Sequence, residues 1–229
     1  MKAIALVSEK RIFTVKIVLM KVYAISGLGA DERVFQNLQL NHELIHLKWI
    51  DPVEKESIEN YAKRLAEKID STEEFVLLGL SFGGLIAVEI SKMIQPKTTI
   101  LLSSVELRSE LPFVFKLAGR LNIVRWIPQF MFKIPIGLAS YLFGTSNKCV
   151  LQQIFEDADL KLYKWSVNAL VTWKNATQIN CTKISGEYDR LLPVTKCAKS
   201  VVIKQGHHFM VLDKATEVNA AINDALAPV

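Results

Sequence analysis

One serine, Ser81, stands in the run GLSFG (residues 79–83), between the apolar residues 75–78 and a second apolar run that opens at Gly84. A hydroxyl at a sharp turn from a buried strand into a helix is exposed at the strand's end. That backbone is strained, and flanking residues without side chains relieve the crowding. The five-residue pattern is a weak signal by itself. A serine hydroxyl is also a poor nucleophile near neutral pH, so the chemistry needs a base within hydrogen-bond reach and an acid that fixes the base's tautomer. The chain has four histidines. His42 and His46 lie early, in or beside a candidate strand, where structural roles are expected. His207 and His208 follow the run SVVIK on a loop before the last helix, the better place for a base. Asp189, in ISGEYDRLLP, follows another candidate strand at its carboxyl end, where the ligands of open α/β sheets collect. Glu106, just past TTILLSS, is a reserve acid.

These residues need a scaffold. From Lys21 onward, short β-rich runs (VYAIS, LIHLKWI, FVLLGL, TTILLSS, TKISGE and SVVIK) alternate with segments of helical period. That alternation predicts an α/β fold, a mostly parallel sheet with helices on both faces. Helices are expected over 54–69, with Ile58, Tyr61, Leu65 and Ile69 on one face, and over 215–226, with Val218, Ile222 and Leu226 in line. Residues 107–180 break the alternation. They hold no convincing strand, are rich in Leu, Phe, Trp and Ile, and carry breakers at Pro128, Pro135 and Gly144, which predicts an inserted helical cap within a single domain spanning 1–229. Its aromatics are expected either to line a pocket or, more often, to hold the cap to the body. The first nineteen residues fit either a hairpin on the sheet edge or an extension.

At 229 residues and 50% hydrophobic composition, the chain can bury a large core. Cys149, Cys181 and Cys197 are odd in number and lack CxxC spacing, and the paired histidines are adjacent rather than one helical turn apart, so neither a disulfide framework nor a metal site is expected. No cofactor is implied. A cytoplasmic location fits the cysteine usage and the absence of a signal-peptide core, and no run reaches the length of a membrane span. The formal charge of +5 is scattered, with no basic tract of the kind that binds nucleic acid.

Taken together, VYAISGLGADERVF, GLSFGG, ISGEYDRLLP and QGHHFMVLDKA resemble the α/β-hydrolase superfamily across nearly the whole chain. The narrower likeness is to compact bacterial serine hydrolases with a helical cap between the sixth and seventh strands of that fold. The order Ser81, Asp189, His208 is the family's order. The resemblance also implies that His208, followed by Phe209, Met210 and then Asp213, is the base, with His207 as its neighbour. A tetrahedral oxyanion needs two preorganised donors. The backbone amides of Phe82 and of Leu28, between Gly27 and Gly29, are expected to supply them, although Ser26 stands where the family usually has histidine. The implied activity is a carboxylesterase-like cleavage of an ester or related acyl bond in a medium-sized hydrophobic small molecule. Thioester hydrolysis, acyl transfer, carbon-carbon cleavage and ligand binding without turnover are the alternatives, and oligomeric state is not fixed by sequence.

Overall fold

The structure is a computed structural model that describes residues 19–194 and 199–227. The readings made for residues 1–18 and for Cys197 lie outside the described residues. Six strands, β1 (Lys21–Ile25), β2 (Glu43–His46), β3 (Phe75–Leu80), β4 (Thr98–Leu102), β5 (Cys181–Gly186) and β6 (Ser200–Ile203), form one parallel sheet in the order β2-β1-β3-β4-β5-β6. The chain reverses direction across the sheet between β1 and β3. In open sheets of this kind the crevice at such a reversal is the binding position.

β3 is buried at every position because helices cover both faces of the sheet. Its residues alternate between two apolar layers. Val76, Leu78 and Leu80 pack with Val218, Ile222 and Leu226 of α8 (Ala215–Leu226). Phe75 and Leu77 pack with Tyr61 and Leu65 of α1 (Ile58–Ala66) and with α2 (Phe82–Ser91). The last helix has the predicted bounds. The expected start at residue 54 is corrected to Ile58, because residues 53–56 close a turn and Ser57 caps the helix by accepting the Asn60 amide at 3.3 Å. β2 also stops at His46, short of the LIHLKWI run. Trp49 leaves the ladder, donates its indole N–H to the Ala30 carbonyl at 2.9 Å, and stacks on Phe82.

Between β4 and β5 the chain forms α3 (Phe113–Arg120), α4 (Ile136–Phe143), α5 (Lys148–Asp157) and α6 (Leu160–Thr172), joined by short 3-10 turns and without a strand. α4 begins after Pro135 and ends at Gly144, whose φ of 64° is a left-handed stop. The two ends of this insertion are joined at their roots by a buried ionic group. Lys183 of β5 pairs with Glu110 and lies 3.6 Å from Glu106. Glu110 accepts the amides of Glu106 and Leu107, and Glu106 accepts the Ile179 amide at 2.7 Å. The Asn175 side chain donates to the Glu106 carbonyl, while the Arg108 amide donates to the Asn175 carbonyl, both at 2.8 Å. Glu106, the reserve acid, is thereby committed to structure.

Candidate active site

Ser81 follows β3 directly and opens α2. Its φ of 53° and ψ of −120° are costly for a residue with a side chain, on the order of 1 to 3 kcal/mol. Neighbouring bonds hold it there. Its amide donates to the Leu102 carbonyl at 2.9 Å, and its carbonyl accepts from the Gly84 amide at 2.9 Å and from the Ser104 hydroxyl at 2.7 Å. The glycines are required by close approach. A Cβ on Gly83 would fall on the Ile25 and Ser26 carbonyls, and one on Gly79 would lie 2.7 Å from the Gly84 nitrogen.

Asp189 comes from the turn after β5, where its amide donates to the Gly186 carbonyl. One carboxylate oxygen accepts the amides of Leu191 and Leu192, each at 2.9 Å, and the other lies 2.8 Å from His208 Nδ1. With a carboxylate facing it, Nδ1 carries the proton, so Nε2 presents its lone pair. That lone pair faces Ser81 Oγ at 2.8 Å. Both Asp189 and His208 are buried, and the Phe143 ring stands edge-on to the imidazole at 5.5 Å. The adjacent histidines separate cleanly: the Nδ1 of His207 pairs with the Tyr188 carbonyl at 3.2 Å, outside this line. Asp213 accepts from Ser146 and Asn147, each at 2.8 Å, and ties the short helix α7 (Met210–Asp213) to the insertion.

The Phe82 amide is the first N–H of α2 and has no partner within the helix. The loop holding Leu28 lies against the same turn, since a Cβ on Gly27 would sit 3.4 Å from Ser81 Cβ. The Ser26 hydroxyl and the Trp49 indole both donate to the Ala30 carbonyl, and the Ala30 amide donates to the Gly27 carbonyl at 3.1 Å. Ser26 thus braces the loop at the position where histidine was expected. Neither the Leu28 nor the Phe82 amide has a hydrogen-bond partner among the described residues.

Aromatic rings wall the site on both sides. Trp49 and Trp165 flank Phe82 at 5.8 and 5.9 Å, and Tyr61 packs against Trp165 at 4.3 Å. Opposite, Phe143 meets Phe155, which meets Tyr163 above Gly29. Burial pushes the Tyr163 phenol up to about 12, so it stays neutral. Sequence reasoning did not single out Trp49, Ser104 or Tyr163. A groove of about 790 Å³ beside Trp165 is lined by Arg125, Lys161 and Lys164 together with Glu54 and Glu56, and Ser81 is not part of its lining.

No protein-family model matches the chain, and no curated protein matches its sequence. Solved structures do match it in three dimensions. A hydrolase from Pseudomonas aeruginosa PA01 superposes with a TM-score of 0.70 at 13% identity, over 92% of this chain and 91% of that one. A thermophilic esterase from Thermogutta terrifontis gives a TM-score of 0.68 at 18% identity, over 90% and 89%. The chain has the α/β-hydrolase fold. A lipase-esterase related protein from Clostridium acetobutylicum shares that fold, with a TM-score of 0.65 at 16% identity over 89% and 93% of the two chains. Within the α/β-hydrolase fold, the insertion of this chain leaves after the fourth of its six described strands.

Proposed function

We propose that the protein is a serine hydrolase acting on an ester or related acyl bond, with Ser81, His208 and Asp189 as its triad and the insertion 107–180 as a cap on a single domain. The observation that carries this reading is the unbroken line from Asp189 through His208 to Ser81, two contacts of 2.8 Å each. In this reading His208 Nε2 takes the proton as Ser81 Oγ attacks the carbonyl carbon, and Asp189 holds the resulting imidazolium. The tetrahedral oxyanion is held by the Leu28 and Phe82 amides. Collapse expels the alcohol, which receives the proton from His208 and leaves an acyl-Ser81. Water activated by the same imidazole then hydrolyses that ester and restores the hydroxyl.

The rings of Phe82, Trp165, Phe143 and Tyr163 favour an apolar acyl or alcohol part. The cations Lys55, Arg125, Lys161 and Lys164 outnumber Glu54 and Glu56 in the groove beside Trp165, which favours, as a second reading, an acyl donor such as a thioester whose leaving group is anionic. Hydrolysis of an acyl-chain-length series of p-nitrophenyl esters, and of matched thioesters, tests both. Ser81→Ala is expected to abolish turnover and labelling by a fluorophosphonate probe. Undiminished activity in that variant would reject the mechanism.

A further inference from the structure

The insertion presents an outer face that is unusual for a protein surface. α3 is amphipathic in the reverse of the usual sense. Its inner side is marked by Gly119, where a Cβ would fall on the Val171 carbonyl of α6, so backbone packs on backbone there. At about 100° per residue, Val114, Leu117 and Leu121 project within about 40° of the direction opposite Gly119. They are exposed, as is Phe113 beside them. The apolar surface continues through the turns that follow, where Trp126 is 81% and Phe130 70% exposed. Scattered exposed apolar residues are ordinary, but a concentration of this kind within residues 113–130 marks an interaction site.

Within the stretch of chain that carries this face the charge has one sign, although Glu54 and Glu56 share a groove with Asn122, Val124 and Arg125. Residues 111–155 contain five Lys or Arg (Lys116, Arg120, Arg125, Lys133 and Lys148) and no Asp or Glu. An isologous contact with a second copy would set these cations against each other. Exposed Trp and Phe on a stretch of chain that carries cations and no acid suit a different partner, the boundary layer of a membrane with anionic headgroups. No described helix is long and apolar enough to cross a membrane, so the face would lie on the bilayer rather than span it.

We propose that this outer face docks on an anionic lipid bilayer, with the Val114, Leu117, Leu121, Trp126 and Phe130 side chains in the interfacial layer and Arg120 and Arg125 against the headgroups. The docking stands apart from the proposed reaction, so Ser81→Ala should bind vesicles as the unaltered chain does. The test is flotation of the full chain with vesicles of phosphatidylcholine, with or without phosphatidylglycerol. Strong flotation is expected with the anionic vesicles and little with the neutral ones, weakened by salt. Trp emission should shift to the blue on binding, and Trp126→Phe should remove most of that shift. Arg120→Glu should lower partitioning at least about tenfold. It should leave unchanged both the folded spectrum and whatever activity the chain shows on soluble esters. A chain that stays in solution with both vesicle types overturns the proposal. So does a dimer in solution that Leu117→Ser with Leu121→Ser converts to monomer, because the face then belongs to a second copy.

Discussion

Asp189→Asn tests the proposed triad most sharply, because its surroundings decide how the new side chain must sit. One oxygen of Asp189 accepts two amides, those of Leu191 and Leu192, and the other faces His208 Nδ1. An asparagine can satisfy the two amides only with its carbonyl oxygen. Turning its NH2 toward them would strand both donors, the Leu192 amide fully buried and the Leu191 amide partly so, at about 1 to 3 kcal/mol for the buried one. The NH2 must therefore point at Nδ1, which then has to accept. The imidazole shifts its proton to Nε2 and donates to Ser81 Oγ, so the base is lost while the geometry stays. A forced tautomer of this kind lowers kcat by about four orders of magnitude in a serine protease, equivalent to about 5.4 kcal/mol of barrier. The expected result here is a fall in kcat of that order for a p-nitrophenyl ester. The unfolding midpoint should stay near that of the unaltered chain, and fluorophosphonate labelling should be slow. If kcat stays within tenfold while Ser81→Ala is inactive, Asp189 does not orient the base and the reasoning fails.

Two further outcomes concern the scaffold. Gly83→Ala drives a methyl group into the Ile25 and Ser26 carbonyls, backbone that has little room to give, and should cost at least about 1 to 3 kcal/mol in urea unfolding; an unchanged midpoint would mean that the turn tolerates a side chain. His46, packed near Phe35, is held below its ordinary value by burial, with Glu32 only partly opposing. The unfolded chain therefore takes up the proton more readily than the folded one, so His46 lowers stability as pH falls through and below about 6.5. Replacing it in His46→Gln should flatten the decline in unfolding midpoint between about pH 7 and about pH 5, and parallel curves for the two proteins would contradict this assignment.

The sheet was legible because buried parallel strands are written as uninterrupted apolar runs, and FVLLGL and TTILL are such runs. The same rule misled at LIHLKWI. There the apolar residues past His46 are paid for by a loop that buries Trp49 against Phe82, which no periodicity distinguishes from a strand. The proposed triad was read from residue type, order and position at strand ends, and the structure places these three side chains within hydrogen-bond distance of one another. Its supports were not. Ser104 reaches the Ser81 carbonyl across a strand, and Tyr163 covers Gly29 from a helix more than a hundred residues away in sequence. The insertion's aromatics also departed from expectation. Phe143 and Trp165 flank the site, whereas Phe113, Trp126 and Phe130 face solvent, a placement that composition does not encode.

Because Lys183, its two carboxylates and Asn175 sew the departing and returning chain together, the helical roof is clamped at its neck. A swing about that neck would have to break this buried group. Any opening of the proposed cap is therefore expected farther out, among α3, α4 and the turns between them, which is also the part of the insertion that carries its greasiest exterior.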